Sequence, residues 1–384
     1  MSSSIFSFIM SIFWLNIFIC ISTFMKRNTG FIINFSIMPL LLLMALCFFR
    51  LFCFFEIPLT VVINSESIFP SIISRITTPI FSILNNDISI IKIIVSIWII
   101  GSFYCIKNYI LNSIRLNKST QAIQETQNPQ ILSTMNKILA DSGENFNVKL
   151  IQSNTIKIPM VTGFFNPTIY LPDIIFTDTE LKNILLHEWT HFLHKDAFIK
   201  LFMNLIVTIF WWNPFVHILR ANLNHILEIR CDLRVTAGMN EKERIKYLKS
   251  IKKIIEYKLS FKDNISYSKV ATASVLVSTN SMKKIEQRFL LVLNSHQRKK
   301  YSIITFFIYI LLILSFLFSY MFVVQPIYNS TSRAGYEESF SITPQTSYLK
   351  INKDGTYALY VENKYKGDIN QIKGQPLSSL PIKD

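Results

Sequence analysis

Long apolar runs, separated by short basic stretches, dominate the chain. A run of about 18 or more apolar residues can cross a bilayer as a helix. Four runs reach that length: about Ile5–Met25, Phe31–Phe55, Ile88–Leu111 and Tyr301–Val324. The first begins too close to the start of the sequence for a cleavable signal with a basic n-region, so it reads as an anchor. Only the polar turn Lys26-Arg27-Asn28-Thr29-Gly30 separates it from the second. A fifth run, Ala197–Leu219, reads AFIKLFMNLIVTIFWWNPFVHIL. Proline disfavours a helical conformation at the residue before it, so a break is predicted at Asn213-Pro214. The expectation is a re-entrant or membrane-associated helical hairpin. A true span would put the two flanks of this run on opposite sides of the membrane.

Elsewhere the pattern changes period. Leu181, Ile184, Leu185 and Phe192 recur at helical spacing behind Thr177 and Glu180, a capping-box pair. Ile245, Leu248, Ile251 and Ile255 form the apolar stripe of a charged helix over Glu241–Lys258, which core packing explains. Leu259–Lys300 is a less regular, basic linker. After Pro326, the stretch TSYLKINKDGTYALYVENKYKG alternates like two strands around a turn at Lys353-Asp354-Gly355.

Composition supports a membrane reading. Of 384 residues half are hydrophobic, only 16% are charged and nine are glycine, unlike an ordinary soluble domain. The net charge of +15 need not mean nucleic acid. No basic recognition motif appears, and lysine and arginine also mark the cytoplasmic side of membrane proteins. By that rule Lys26 and Arg27 lie inside, as do Lys107, Arg115 and Lys118 after the third run and Arg298, Lys299 and Lys300 before the fourth. Both termini and the Glu56–Asp87 loop are then outside, and the central region is cytoplasmic. Arg50 and Lys92 dissent, each near the outer end of its run, where such side chains can snorkel. Cys20, Cys47, Cys53, Cys105 and Cys231 show no paired spacing, so neither a disulfide framework nor a thiolate zinc site is expected.

His187-Glu188-Trp189-Thr190-His191 is H-E-x-x-H. On a helix, positions four apart share a face, so two imidazoles can grip one Zn²⁺ while Glu188 reaches its water. Chance is a poor explanation in a chain with six histidines. A catalytic zinc needs a third protein ligand and an open position. Glu228 and Asp232, also four apart, offer a ligand and a carboxylate to hold a ligand histidine by its second ring nitrogen. Asp196 is another candidate for that supporting role. His225 and His194 are rival ligands, His217 reads as a core or interfacial histidine, Cys231 as buried packing, and Trp211 and Trp212 as interfacial anchors.

HEWTH with EIRCD resembles the gluzincin pattern. With IPMVTGFFNPTIYLPD (Ile158–Asp173) and FWWNP (Phe210–Pro214), the chain resembles the membrane metallopeptidases of the β-lactam sensor-transducer type, peptidase family M56. The resemblance is motif-specific from about Ile158 to Val235. It implies His187, His191 and Glu228 as zinc ligands, Glu188 as catalytic base and Asp232 as the orienting carboxylate. It also implies an edge strand at Thr168–Leu171, bracketed by Pro167 and Pro172, to which a peptide could add.

The expected fold is a mainly α membrane protein with four transmembrane helices, a gluzincin-like α+β cytoplasmic metalloprotease domain and a short β-rich external tail. The expected divisions are 1–111 for the three-helix membrane region, 112–258 for the protease domain, 259–300 for the linker, 301–324 for the fourth helix and 325–384 for the tail. Ser347 and Lys350 match the S-x-x-K of penicillin-binding proteins. That reading is rejected, because a strand puts them on opposite faces and no K-T-G follows. The large external sensor of the antibiotic-sensing relatives is not matched. The resemblance implies a zinc endopeptidase cleaving a cytosolic protein, such as a transcriptional repressor, in response to an external cue. The lipid bilayer and that substrate are the expected partners, direct nucleic-acid binding is not expected, and homo-oligomerisation stays open. The rivals are a non-catalytic receptor that keeps the fold, against which an intact Glu188 argues, and a transporter with intramembrane histidines.

Overall fold

The computed structural model describes residues 5–65, 68–83, 86–121, 124–143, 146–263, 271–297, 302–326, 342, 344, 346–352, 356–369, 377 and 380–383. The chain divides into two compact units, Met1–Ile63 with Ile72–Gln325, and Asn64–Ser71 with Pro326–Asp384.

The first unit opens on helix α1 (Ile5–Arg27), α2 (Thr29–Phe35) and α3 (Met38–Phe52). Strand β1 (Val61–Ser65) and α4 (Ile68–Thr77) each fall partly in the second unit, at Asn64–Ser71; β2 (Pro79–Ile83) and β3 (Asn86–Ser89) then lead to the long α5 (Ile90–Gln121). Then come α6 (Pro129–Ser142), β4 (Lys149–Ser153), β5 (Met160–Thr162), β6 (Thr168–Pro172), α7 (Asp178–Leu193), α8 (Asp196–Ile209), α9 (Pro214–Val235), α10 (Glu241–Asp263), α11 (Ala271–Leu293), α12 (Ser302–Phe318) and β7 (Phe322–Pro326).

Among the described residues two helices are long and apolar enough to cross a membrane, Ile5–Arg27 and Ile90–Arg115. None of the apolar window of the second is buried, so in water it would expose Ile94, Ile97, Ile100 and Phe103; lipid removes that cost. The second expected span is not one straight helix. It breaks between α2 and α3 and turns through 100°, with Ser36 at positive φ and Pro39 in the first turn of α3. A bent pair of this kind is a broken span or a re-entrant loop, and counting it as one span gives three. The fourth expected span is also shorter than its apolar run. Its helix stops at Phe318 and the chain turns into β7, with the Val61 amide donating to the Met321 carbonyl at 2.7 Å.

Arg50 does not snorkel. It is buried, donates from Nε to Ser319 Oγ (3.1 Å) and from its other nitrogens to the carbonyls of Cys53 (3.2 Å) and Ser319 (3.3 Å), and lies 4.2 Å from the centre of the Tyr320 ring. Lys92 is exposed, like most of the helix around it.

The Ala197–Leu219 run is a helical hairpin. Asn213 caps α9, accepting from the Phe215 amide at 3.0 Å, and Pro214 occupies the first turn, where its missing N–H costs nothing. The contact of Asp196, at the start of α8, with Arg230, four turns into α9, shows that the two helices run antiparallel. The hairpin tip docks on α5, where Trp98 Nε1 donates to the Ile209 carbonyl (2.6 Å). Gly101 lets the Trp211 ring pack close there: a Cβ would stand 2.5 Å from the ring and force it to shift.

One core, built from Leu15, Phe18, Leu40, Leu43, Met203, Leu219 and Leu223 among others, joins α1, α3, α8 and α9. A second packs α6 and α7 on the sheet through Ile131, Met135, Ile169, Leu171, Leu185 and Trp189. The sheet order is β4-β6-β5, with β6 parallel to β4 and antiparallel to β5. Thr168–Leu171 is therefore the central strand, not the edge. Four of the five β6 residues are buried, and β5 supplies the free edge. The stretch expected as an irregular linker, Leu259–Lys300, contains the 23 residues of α11.

The second unit contains β8 (Ser347–Ile351), β9 (Tyr357–Val361), β10 (Lys364–Ile369) and β11 (Ile382–Lys383), ordered β10-β9-β8-β11. The two predicted strands are β8 and β9; their turn, Lys353–Gly355, lies outside the described residues. Sequence reading missed the next turn, where Glu362 and Asn363 both have positive φ, the mirror-image geometry that two-residue hairpin loops favour. Ser347 is buried and Lys350 exposed, consistent with opposite faces.

Candidate active site

Helix α7 carries the H-E-x-x-H residues into the protein interior. Its start is fixed by the predicted capping box: Thr177 Oγ1 accepts from the Glu180 amide (3.3 Å) and Glu180 Oε2 from the Thr177 amide (3.0 Å). The inward face continues from Leu181 and Leu185 to His187, Glu188 and His191, all buried.

The two imidazoles meet through Nε2, 3.2 Å apart. Helix α9 brings Glu228 opposite them, with Oε2 3.6 Å from His187 Nε2 and Oε1 3.6 Å from His191 Nε2. The neighbours of these groups define their protons. His191 Nδ1 is 2.6 Å from Asp196 Oδ2, and a carboxylate only accepts, so the imidazole donates there. Tyr247, on α10, donates its single hydroxyl proton to Asp232 Oδ1 (2.7 Å), so its oxygen accepts from His187 Nδ1 at 2.8 Å. When the rings are neutral, both Nε2 atoms present lone pairs that face each other and a carboxylate. Such a group calls for positive charge, supplied by protons on the rings or by a bound cation. Tetrahedral zinc with bonds of about 2.0–2.1 Å sets its ligand atoms roughly 3.3 Å apart, close to the spacing observed.

Electrostatics point the same way. Burial opposes a charge on His187, but Cys231, Glu228 and Asp232 outweigh it and hold its pKa well above the usual value. His191 is pushed up to about 9 by Asp196 and Cys231 in spite of burial. Burial alone would raise Glu228; His187, Arg288 and His191 instead hold it well below the usual range. Positive charge is thus favoured at the ring nitrogens and negative charge at Glu228. Glu188 goes the opposite way. Burial raises it and Glu228 adds to the rise, against the pull of the two histidines.

Cys231 is a rival third donor, its sulfur forming a close group with the two histidines. It sits on the Nδ1 side of His187, 3.4 Å from that nitrogen, and donates to the His187 carbonyl (3.2 Å). Glu228 stands 3.6 Å from both Nε2 atoms, whereas the Cys231 contacts on His187 are to Nδ1 and the carbonyl, so at His187 the geometry favours the glutamate. The other sequence candidates fall outside this centre. His225 is held by Gln287 Oε1 (2.9 Å), His217 by the Trp211 carbonyl (2.9 Å), and neither ring nitrogen of His194 has a hydrogen-bond partner among the described residues. Asp232 reaches His187 through Tyr247, its nearest oxygen standing 3.5 Å from Nδ1; the direct carboxylate–histidine bond belongs to Asp196.

Arg288, on α11, was not foreseen. Its Nε and one terminal nitrogen donate to the two oxygens of Asp232 (2.6 and 2.9 Å), and the other lies 3.2 Å from Glu228 Oε2. One guanidinium therefore holds both carboxylates of α9 in place. Around this centre opens a cavity of about 1110 Å³. Its walls are the β5 segment, α8, α10 and α11. Gly163 turns the chain after β5 at φ +92, and a Cβ there would collide with the Asn166 carbonyl, so any other residue would strain this wall.

Residues 8–292 match the family model described as BlaR1 peptidase M56. The chain belongs to the M56 peptidase family. Membership places it among metallopeptidases, and the apolar helices agree with a membrane protein. Over 204 residues it is 28% identical to regulatory protein BlaR1 of Bacillus licheniformis, covering 52% of this chain and 32% of that protein. Over 213 residues it is 26% identical to the methicillin resistance mecR1 protein of Staphylococcus aureus, covering 54% and 35%. The match thus spans about a third of the length of these M56 relatives.

Proposed function

We propose that this M56 protein is a zinc-dependent endopeptidase whose centre lies on the cytoplasmic side of the membrane, with both termini outside, and that it cuts a cytosolic protein such as a transcriptional repressor when an external cue arrives. The observation that carries the chemistry is the convergence of two imidazole nitrogens and the Glu228 carboxylate next to Glu188. His187, His191 and Glu228 would hold the ion, with Asp196 and the Tyr247–Asp232 pair fixing the two imidazoles. Zinc held there would acidify water and polarise a scissile carbonyl. Glu188 takes the water's proton and delivers it to the leaving amine; burial raises its pKa, the direction a proton shuttle needs. The peptide lies along β5, the edge strand of the described sheet, whose Met160 and Val161 line the cavity. The repressor and the cue rest on the BlaR1 and mecR1 likeness.

Purified protein in detergent is expected to cut a peptide library made from a cytosolic proteome. A chelator should abolish cleavage and added zinc restore it. Cleavage that survives exhaustive chelation would exclude the metal mechanism.

A further inference from the structure

Outside the centre itself, the charged residues that line the cavity are all basic. Three acidic residues line it, Glu188, Asp196 and Glu228. All three belong to the centre: Asp196 is engaged by His191 and Arg230, Glu228 by the histidines and Arg288, and Glu188 lies between the ligands in sequence. The remaining charged lining consists of Arg288, already committed to two carboxylates, and four lysines. Lys195 and Lys200 come from α8 and its N-cap, Lys258 from α10 and Lys284 from α11. Among the described residues none of these four forms an ion pair; Lys195 lies over the Phe192 ring at 4.8 Å.

Lysines on one solvated helix face would be ordinary. These four come from three elements that surround one opening, and between them lie apolar side chains, including Met160, Ile255, Leu259 and Ile285. Low-dielectric walls focus the field of such charges into the cleft, where they attract anions and repel cations.

Building on the peptidase reading, we propose that the cleft selects an extended peptide segment with acidic side chains on both flanks of an apolar residue at the cut. The apolar residue enters between β5 and the α10–α11 wall. The acidic flanks meet Lys258 and Lys284 on one side and Lys195 and Lys200 on the other. Selection acts on binding through long-range attraction, and Lys200 also acts on Glu188, whose pKa it lowers.

The test uses full-length protein carrying Glu188→Gln, which keeps bound peptide intact. Three fluorescent peptides share one length and one apolar centre and are flanked by glutamate, glutamine or lysine. The glutamate peptide is expected to bind at least about tenfold tighter than the glutamine one at low salt, the lysine peptide weakest, with the gap closing as salt rises. In Lys258→Glu/Lys284→Glu the preference is expected to shrink or invert. Equal binding of the three peptides to the parent protein would overturn the proposal, and the parent's salt series gives that answer even if the double variant fails to fold. The proposal also falls if the double variant loses binding to phosphatidylglycerol vesicles while its peptide preference is unchanged, for the lysines then serve headgroups. Cleavage by the protein with native Glu188 separates the two claims. Selective binding without zinc-dependent cutting refutes the peptidase reading alone, whereas cutting of all three peptides with equal kcat/KM refutes this one alone.

Discussion

Glu188→Gln is expected to keep the fold and the bound zinc while lowering peptide cleavage by on the order of 10²–10⁴-fold. Glutamine has nearly the same shape and cannot take a proton from water. The two imidazoles and Glu228 are untouched by the change, since their positions depend on Asp196, Tyr247 and Arg288. The pH profile gives an independent reading. The base works only when ionised, and burial raises Glu188 above the ordinary glutamate value, so kcat/KM should fall on acidification at a pH above that value. Residual cleavage by the variant should lack this limb. A variant that loses zinc along with activity would mean that Glu188 supports the metal rather than the proton transfer.

Arg288→Ala is expected to be damaging although Arg288 touches neither the two histidines nor a reacting group. It would leave the buried Asp232 carboxylate with only the Tyr247 hydroxyl and a distant imidazole. Removing one partner of a buried ion pair costs about 3–5 kcal/mol, and thermal unfolding in detergent should show a loss of that order. Glu228 would also lose the group that sets its angle, so zinc affinity should fall roughly 10–100-fold, as when other ligand supports are removed. Arg288→Lys keeps the charge but not the fork that spans both carboxylates, and it should recover only part of the loss. The double variant Asp232→Asn/Arg288→Ala should be more stable than the sum of the singles, since no charge is then stranded. Additive losses would show that the two residues do not work as a pair. Because Arg288 sits on α11, displacement of that helix would disturb the centre directly, a direct mechanical route by which the rest of the protein could reach it.

The features legible in the sequence were local ones. The capping box, the pairing of His187 with His191, the shared face of Glu228 and Asp232 and the break at Asn213-Pro214 all follow from spacing within a turn or two. What spacing could not show was where separate elements meet. Tyr247 looks like one more residue of a charged helix, and Arg288 like one more cation in a basic stretch, until α10 and α11 fold against α9. Asp232 and Asp196 were both visible as carboxylates; only the corner between α7 and α8, with Lys195 in the left-handed region, puts Asp196 directly on His191. Strand order was hidden for the same reason, since an apolar five-residue strand reads alike at the edge and at the centre of a sheet. Apolar length likewise recorded composition and not direction. The run from Phe31 to Phe55 is hydrophobic throughout, and its 100° bend depends on a single backbone angle at Ser36 and on Pro39.

The central claim is that His187, His191 and Glu228 form one zinc site. Metal content of the purified protein, measured after zinc loading and removal of free metal, tests it most directly against His187→Ala, Glu228→Ala and Cys231→Ser. About one zinc per chain is predicted for the native sequence and for Cys231→Ser, with loss or severe weakening in the other two. No zinc in the native protein would contradict the site, and loss with Cys231→Ser but not with Glu228→Ala would replace the third ligand proposed here by the thiol.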